Sequence, residues 1–330
     1  MKIKDLIDKL IRKLNKQPFE FRTIYYYELI CFAIMHATVP IFAYGYKDYN
    51  FEIIKIIIFT IITLYSGYFA ALIWNDINDY EIDKVVHPDR HLPRKKISRK
   101  KFFGVALIFS FFVFLFSMLI SVWCFLIVGF AALFVAIHDK FLKRHVNIPA
   151  FSEIFTPIQW VVVPIFGFVA VWSYLSIGSQ NQIIPFIDYL SIYNQYFQNM
   201  ILLVLFTYFA DDAHDIGEGI HDVVGDKKFN IKTYSTSFGI EKASKISFMM
   251  YLLSGFFIII LFFNSLLSPI FLVLFLLIWF YILYYAYKLL KAKGEKKIKL
   301  GQKVGQKGFD FLLLTYSLIF VDMLINIVFF

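Results

Sequence analysis

Charge and cysteine are what this sequence has least of. Of 330 residues only 17% are Asp, Glu, Lys or Arg, while 59% are apolar and 20% aromatic. A water-soluble chain carries about a quarter charged residues, so this composition excludes a soluble globular domain. The two cysteines, Cys31 and Cys124, both stand inside apolar runs. That excludes a disulfide framework and a cysteine-based zinc site, and leaves them as small core residues. A Walker loop, a GxGxxG turn after a strand, a nucleophile elbow and a CxxC pair are all absent, and the phosphate-loop, dinucleotide, hydrolase and thiol chemistries they carry are excluded with them. Six of the seven histidines are scattered through polar loops and His36 lies in the first apolar run. None has the spacing of a zinc helix, so no metal-binding histidine is expected. The basic, amphipathic N-terminus (Met1 to Gln17) lacks an apolar core region and a small-residue cleavage site. It reads as a cytoplasmic surface helix within a segment 1–23, ahead of a single domain at 24–330.

What is there is a series of long apolar runs. Nine are candidate spans of a bilayer core: roughly 24–45, 52–74, 102–119, 121–137, 150–173, 198–212, 246–264, 268–289 and 309–329. The third and fourth lie close together, and the sixth is short before it meets Asp211. The net charge of +9 invites a nucleic-acid reading, but its placement excludes one. With the N-terminus inside, the segments expected on the cytoplasmic side hold 31 of the 33 lysines and arginines, all but Lys47 and Lys55. The long opposite loop, Ser173 to Asn199, holds none. This alternation predicts an all-α integral membrane protein of nine helices, N-terminus inside and C-terminus outside. The basic residues then serve topology and anionic membrane lipids.

Two acidic stretches follow apolar runs on that cytoplasmic side. The first reads Asn75-Asp76-x-x-Asp79-x-x-x-Asp83, which puts three carboxylates on one face of a continuous helix. The second holds Asp211, Asp215, Glu218, Asp222 and Asp226, with Gly217, Gly219 and Gly225 expected to interrupt the helix. A single row of this kind reads as a solvated helix end. Two in one membrane chain point to a divalent cation, because packed carboxylates repel unless a cation sits between them. The two stretches, each after two spans, also suggest a weak internal repeat. Arg90 and Lys143 are placed to meet an anionic group, or else serve only as topology-setting charge. Some of the 41 Phe and 21 Tyr can line a cavity and stabilise a carbocation.

At these residues the sequence resembles the UbiA superfamily of intramembrane prenyltransferases. Asn75 to Asp83 matches its first aspartate-rich motif, and Pro88-x-Arg90-x-Leu92-Pro93 is similar to the segment after it. Asp222-x-x-x-Asp226, followed by Ile231-Lys232-Thr233 and Phe238-Gly239, resembles its second motif. Leu142-Lys143-Arg144 with Asn147 resembles its loop between the fourth and fifth helices. The departures are His91 for a proline, Arg94-Lys95 for Ser-Gly, His138-Asp139 for Tyr-Ser and Asn230 for a glycine. The His138-Asp139 change puts that loop's role in question. The resemblance implies a helical bundle around a central cavity, with two Mg²⁺ ions between the acidic motifs and a prenyl diphosphate. The implied metal ligands are Asp76, Asp79, Asp83, Asp222 and Asp226, supported by Asn75. Arg90, Lys143 and Arg22 are the implied diphosphate contacts. The implied reaction transfers a polyprenyl group to a lipophilic acceptor: a quinone precursor, a glycerol-phosphate lipid, a tetrapyrrole or another isoprenoid. A terpene cyclase of the same superfamily is the alternative. A cation transporter, from a different class, needs carboxylates near the midplane. Here Glu28, Glu52 and Glu153 all sit near span ends.

Overall fold

Most of the apolar runs begin at a residue built to start a helix. In the computed structural model, which describes residues 26–329 apart from 46–48, 87–89, 91, 96 and 177–185, the regular elements are all helical. The long helices are α1 (Tyr26–Tyr44), α2 (Phe51–Asn78), α3 (Arg99–Ile120), α4 (Val122–Ile137), α5 (Ile158–Leu175), α6 (Gln195–His221), α7 (Ile240–Asn264), α8 (Pro269–Lys291) and α9 (Gly294–Phe329). Asn50, Ser98, Asn194 and Ser268 each accept a hydrogen bond at a helix N-terminus, satisfying an otherwise orphan backbone donor. Ser121 makes α3 and α4 two helices. Its backbone is extended, its N–H closes α3 on the Ser117 carbonyl at 3.1 Å, and its hydroxyl accepts from Cys124 N at 3.1 Å to open α4.

Eight helical segments of the described chain are long and apolar enough to cross a membrane. The remaining expected span, 198–212, is the first part of α6, whose later turns carry Asp211, Asp212, Asp215 and Glu218. Large apolar side chains of α3, α4 and α8, among them Phe111, Phe130, Leu277 and Phe280, are exposed. On an integral membrane protein this surface meets lipid, and the helical backbone satisfies most of its own hydrogen bonds. Helix α6 packs against α5, α7 and α9, and α1 packs against α2, α5 and α9.

The expected interruption of the second acidic stretch is present, but it lies at Asp222, ahead of a short helix Val223–Lys228 that contains Gly225, and not at the glycines. Gly217 and Gly219 do not interrupt α6, which runs unbroken to His221. They instead permit close approach. A Cβ on Gly217 would lie 2.8 Å from the backbone N of Gly305, and one on Gly301 would lie 2.7 Å from the Gly217 carbonyl oxygen. The α6–α9 crossing is thus a backbone-to-backbone contact, the small-residue packing that membrane helices use in place of a hydrophobic driving force.

At the start of α9, Lys297 is fully buried, pairing with Glu241 and donating to the Ser244 hydroxyl at 3.0 Å. Because Glu241 is itself largely exposed, Lys297→Ala is expected to cost about 1–2 kcal/mol rather than the full value of a buried pair. A thermal denaturation series in detergent checks this; an unchanged midpoint would show that the ammonium contributes nothing there.

Candidate functional site

The first acidic motif is assembled by the end of α2 and a bend. Asn75 and Asp76 belong to α2, Asp79 caps it, and the chain re-enters a helix at Tyr80–Val86. Helical register survives the bend, with Asp79 N donating to the Asn75 carbonyl and Asp83 N to the Asp79 carbonyl, both at 2.8 Å. Asp76, Asp79 and Asp83 therefore share one face as the spacing predicts. They are only 4%, 5% and 2% exposed, so this is no solvated helix end. The Arg90 guanidinium lies 2.7 Å from Asp83 and 3.6 Å from Asp76, bridging the two carboxylates.

Lys143 closes the site from the other side. The α4 helix ends in a π-helical turn, His138–Leu142, whose extra residue advances the chain so that Lys143 donates to Asp79 Oδ2 at 3.0 Å. His138 and Asp139, the departures that put this loop in question, form a buried pair at 3.0 Å. Burial alone would lower the Lys143 pKa. The Asp79 and Asp139 carboxylates, the hydrogen bond to Asp79 and the charge of Asp226 outweigh it, and the pKa is raised. Lys143 thus faces both acidic motifs.

The second motif repeats the geometry of the first. The α6 helix ends at a bend on Asp222, and a short helix, Val223–Lys228, resumes beyond it. Asp222 N donates to the Glu218 carbonyl at 2.9 Å and Asp226 N to the Asp222 carbonyl at 3.0 Å. Both side chains are half-buried. The segment after it is pinned by a capping box, in which Thr233 Oγ1 accepts from Thr236 N at 3.1 Å and Thr236 Oγ1 accepts from Thr233 N at 2.8 Å. Asn230 has φ +55°, a left-handed conformation that glycine takes freely and asparagine tolerates, so its departure from glycine leaves this turn intact.

Sequence reading missed Glu153, noting only that it lies near a span end. It is buried on the short helix Phe151–Phe155 ahead of α5. Its Oε2 accepts from Tyr234 N, and it lies within electrostatic reach of Asp212, Asp215 and Asp226. A Cβ on Gly219 would collide with its Oε1. It was also missed that Asp211, His214 and Asp215 group on α6, with one ligand-type atom from each within 4.8 Å of the others. The i, i+3, i+4 spacing was visible; the burial was not. Burial pushes the Asp215 carboxyl up to about 7, against the pull of His214, with Glu218 adding to the rise and Lys143 opposing it. Arg22 and the rest of 1–23 lie outside the described residues.

The donor set fits a hard divalent cation. Three buried carboxylates stand beside the Asn75 amide oxygen, which is buried and accepts no hydrogen bond. Arg90 and Lys143 meet the same carboxylates.

The sequence model of the UbiA prenyltransferase family matches residues 34–302. The chain belongs to this family. It is 29% identical over 224 residues to a digeranylgeranylglyceryl phosphate synthase from Methanococcoides burtonii, covering 66% of each chain. It is 25% identical to one from Saccharolobus solfataricus, over 52% of this chain and 53% of that one. The matches thus span half to about two-thirds of those relatives' lengths. Among solved structures, a UbiA homologue from Aeropyrum pernix K1 superposes with a TM-score of 0.68 at 14% identity, covering 92% of this chain and 99% of that one. One from Archaeoglobus fulgidus bound to GPP and Mg²⁺ gives 0.55 at 14% identity, covering 88% and 96%. These likenesses establish a UbiA fold.

Proposed function

We propose that this UbiA-family protein is a Mg²⁺-dependent prenyltransferase of nine spans. It transfers a polyprenyl group from an allylic prenyl diphosphate to a glycerol-phosphate lipid, at a site on the cytoplasmic side. The observation that carries this is the buried row of Asp76, Asp79 and Asp83 beside an unpartnered Asn75 oxygen, flanked by two cations. The donor class is supported by the A. fulgidus homologue bound to GPP and Mg²⁺. The acceptor class is supported by the names of the relatives.

Asp76, Asp79, Asp83, Asp222 and Asp226 would hold two Mg²⁺ ions, with Asn75 in support. Bound Mg²⁺ supplies Lewis-acid neutralisation of the diphosphate. Arg90 and Lys143 then turn from their carboxylates to the phosphate oxygens and stabilise charge as it develops on the leaving group. The bond between prenyl C1 and oxygen breaks with its electron pair on the diphosphate. An acceptor hydroxyl oxygen attacks C1, an ether bond forms and the hydroxyl proton is released. Aromatic rings from α1, α2, α5 and α9, namely Phe32, Tyr68, Trp160 and Phe309, pack together at 4.1 to 5.8 Å and form an apolar cluster between these helices.

The test uses the purified chain, Mg²⁺, labelled geranylgeranyl diphosphate and either a geranylgeranylglyceryl phosphate or an aromatic quinone precursor, with mass detection. An ether product from the glycerol-phosphate lipid is expected. Transfer only to the aromatic acceptor would overturn the acceptor class, and cyclised hydrocarbon without any acceptor would overturn transfer itself. In the same assay Lys143→Met is expected to lower kcat/KM for the donor by about 10²-fold, the scale of losing one charged donor to the leaving group. A value within twofold of the parent would remove Lys143 from the diphosphate site.

A further inference from the structure

The prenyl-transfer chemistry makes no use of Asp211, His214 and Asp215. Asp211 is 1% exposed, and neither of its carboxylate oxygens has a hydrogen-bond partner. Oδ2 of Asp215 also lacks one. A buried carboxylate is costly in that state unless a cation or a proton meets it. The third member is already oriented. His214 Nδ1 lies 2.8 Å from the Gly305 carbonyl oxygen of α9. With its proton on Nδ1, the ring presents the lone pair of Nε2, 3.7 Å from Asp215 Oδ1. A backbone carbonyl fixing one ring nitrogen while the other ligates is how metal-binding histidines are held. Glu218 adds negative charge, within electrostatic reach of both His214 and Asp215. Tyr251 of α7, whose hydroxyl donates to the Val304 carbonyl at 3.4 Å, faces the same three carboxylates. Lys143 acts on Asp215 through its charge, but its hydrogen bond goes to Asp79.

The geometry points to a second divalent-cation site on α6, formed by Asp211, His214 and Asp215 and suited to a first-row transition ion such as Zn²⁺. One imidazole nitrogen with two carboxylate oxygens matches a borderline ion, whereas Mg²⁺ takes oxygen ligands. The site is separate from the second aspartate motif, because the seven residues from Asp215 to Asp222 amount to about 10 Å of helix. Its ion neutralises the acid-rich turns of α6 where they cross α9, at the place where Gly305 and His214 are already joined. The inference does not depend on the identity of the prenyl acceptor.

Co²⁺ is the probe. The full-length protein, without a polyhistidine tag, is stripped with a chelator and then dialysed against Co²⁺ with Mg²⁺ in large excess. One retained Co²⁺ per chain is expected, with an imidazole nitrogen in its X-ray absorption shell. Asp211→Asn and His214→Gln should each weaken Co²⁺ binding by about 10–100-fold, while Asp79→Asn keeps it. No retained Co²⁺, a shell of oxygen alone, or binding lost with Asp79→Asn and kept with Asp211→Asn would each overturn the site. Should Asp211→Asn fail to fold, the imidazole signature in the parent protein decides.

Discussion

Asp79→Asn protein is expected to insert, fold and melt close to the parent, yet to transfer prenyl groups about 10³-fold more slowly at the same Mg²⁺ concentration. The substitution keeps shape and size, and the Asp79 backbone hydrogen bonds that carry helical register through the bend do not involve the side chain. What changes is charge. Asp79 is buried between Asp76 and Asp83 on one face, and it is the carboxylate that Lys143 meets at 3.0 Å. An amide oxygen there still accepts from Lys143, so local packing survives. It no longer supplies the anionic oxygen that a hard divalent ion selects. The loss thus falls on the cation and on charge stabilisation at the leaving group, where removing one preorganised group costs about 10²–10³ in rate. A Mg²⁺ titration separates the two terms: a shifted midpoint with recovered turnover assigns Asp79 to binding alone. Turnover within tenfold of the parent throughout that titration would remove Asp79 from the cation site.

Why this residue was legible and Glu153 was not is a matter of distance along the chain. Asp76, Asp79 and Asp83 are joined by helical periodicity, which a sequence displays directly, and their shared face survives the bend at Asp79. The repeated bend at Asp222 was hinted at only by the equal spacing of Asp222 and Asp226. Pairings across the bundle leave no such trace. Lys143 meets Asp79 from 64 residues away, and Glu153 accepts from Tyr234 from 81 away. Each depends on how α4 ends and how the chain enters α5, and the π turn at His138–Leu142 that delivers Lys143 has no composition of its own. The glycine reading misplaced the break for a related reason. Helix propensity in isolation counts Gly217 and Gly219 as breaks. In the bundle, α9 and Glu153 occupy the space a side chain would take, so tertiary packing reverses the local preference.

That reversal carries the second large expected effect. Gly217→Ala should destabilise the protein by about 1–3 kcal/mol although alanine is the better helix former. Its Cβ would lie 2.8 Å from Gly305 N, 3.1 Å from Gly305 Cα and 3.3 Å from the Gly301 carbonyl oxygen. All three are backbone atoms of α9, so no side-chain rotamer can relieve the overlap and the two helices must separate. Separation stretches the contact between His214 and the Gly305 carbonyl and moves the C-terminal end of α6, from which the chain runs on to Asp222 and Asp226. Lower thermal stability and reduced prenyl transfer should therefore appear together. Gly104→Ala is the matched control: nothing lies within 4 Å of its Cβ on the lipid-facing helix α3. There, propensity acts unopposed, and a gain of about 0.5–1 kcal/mol is expected. If melting in detergent placed both variants on the same side of the parent, close packing of α6 on α9 would not be what Gly217 is for.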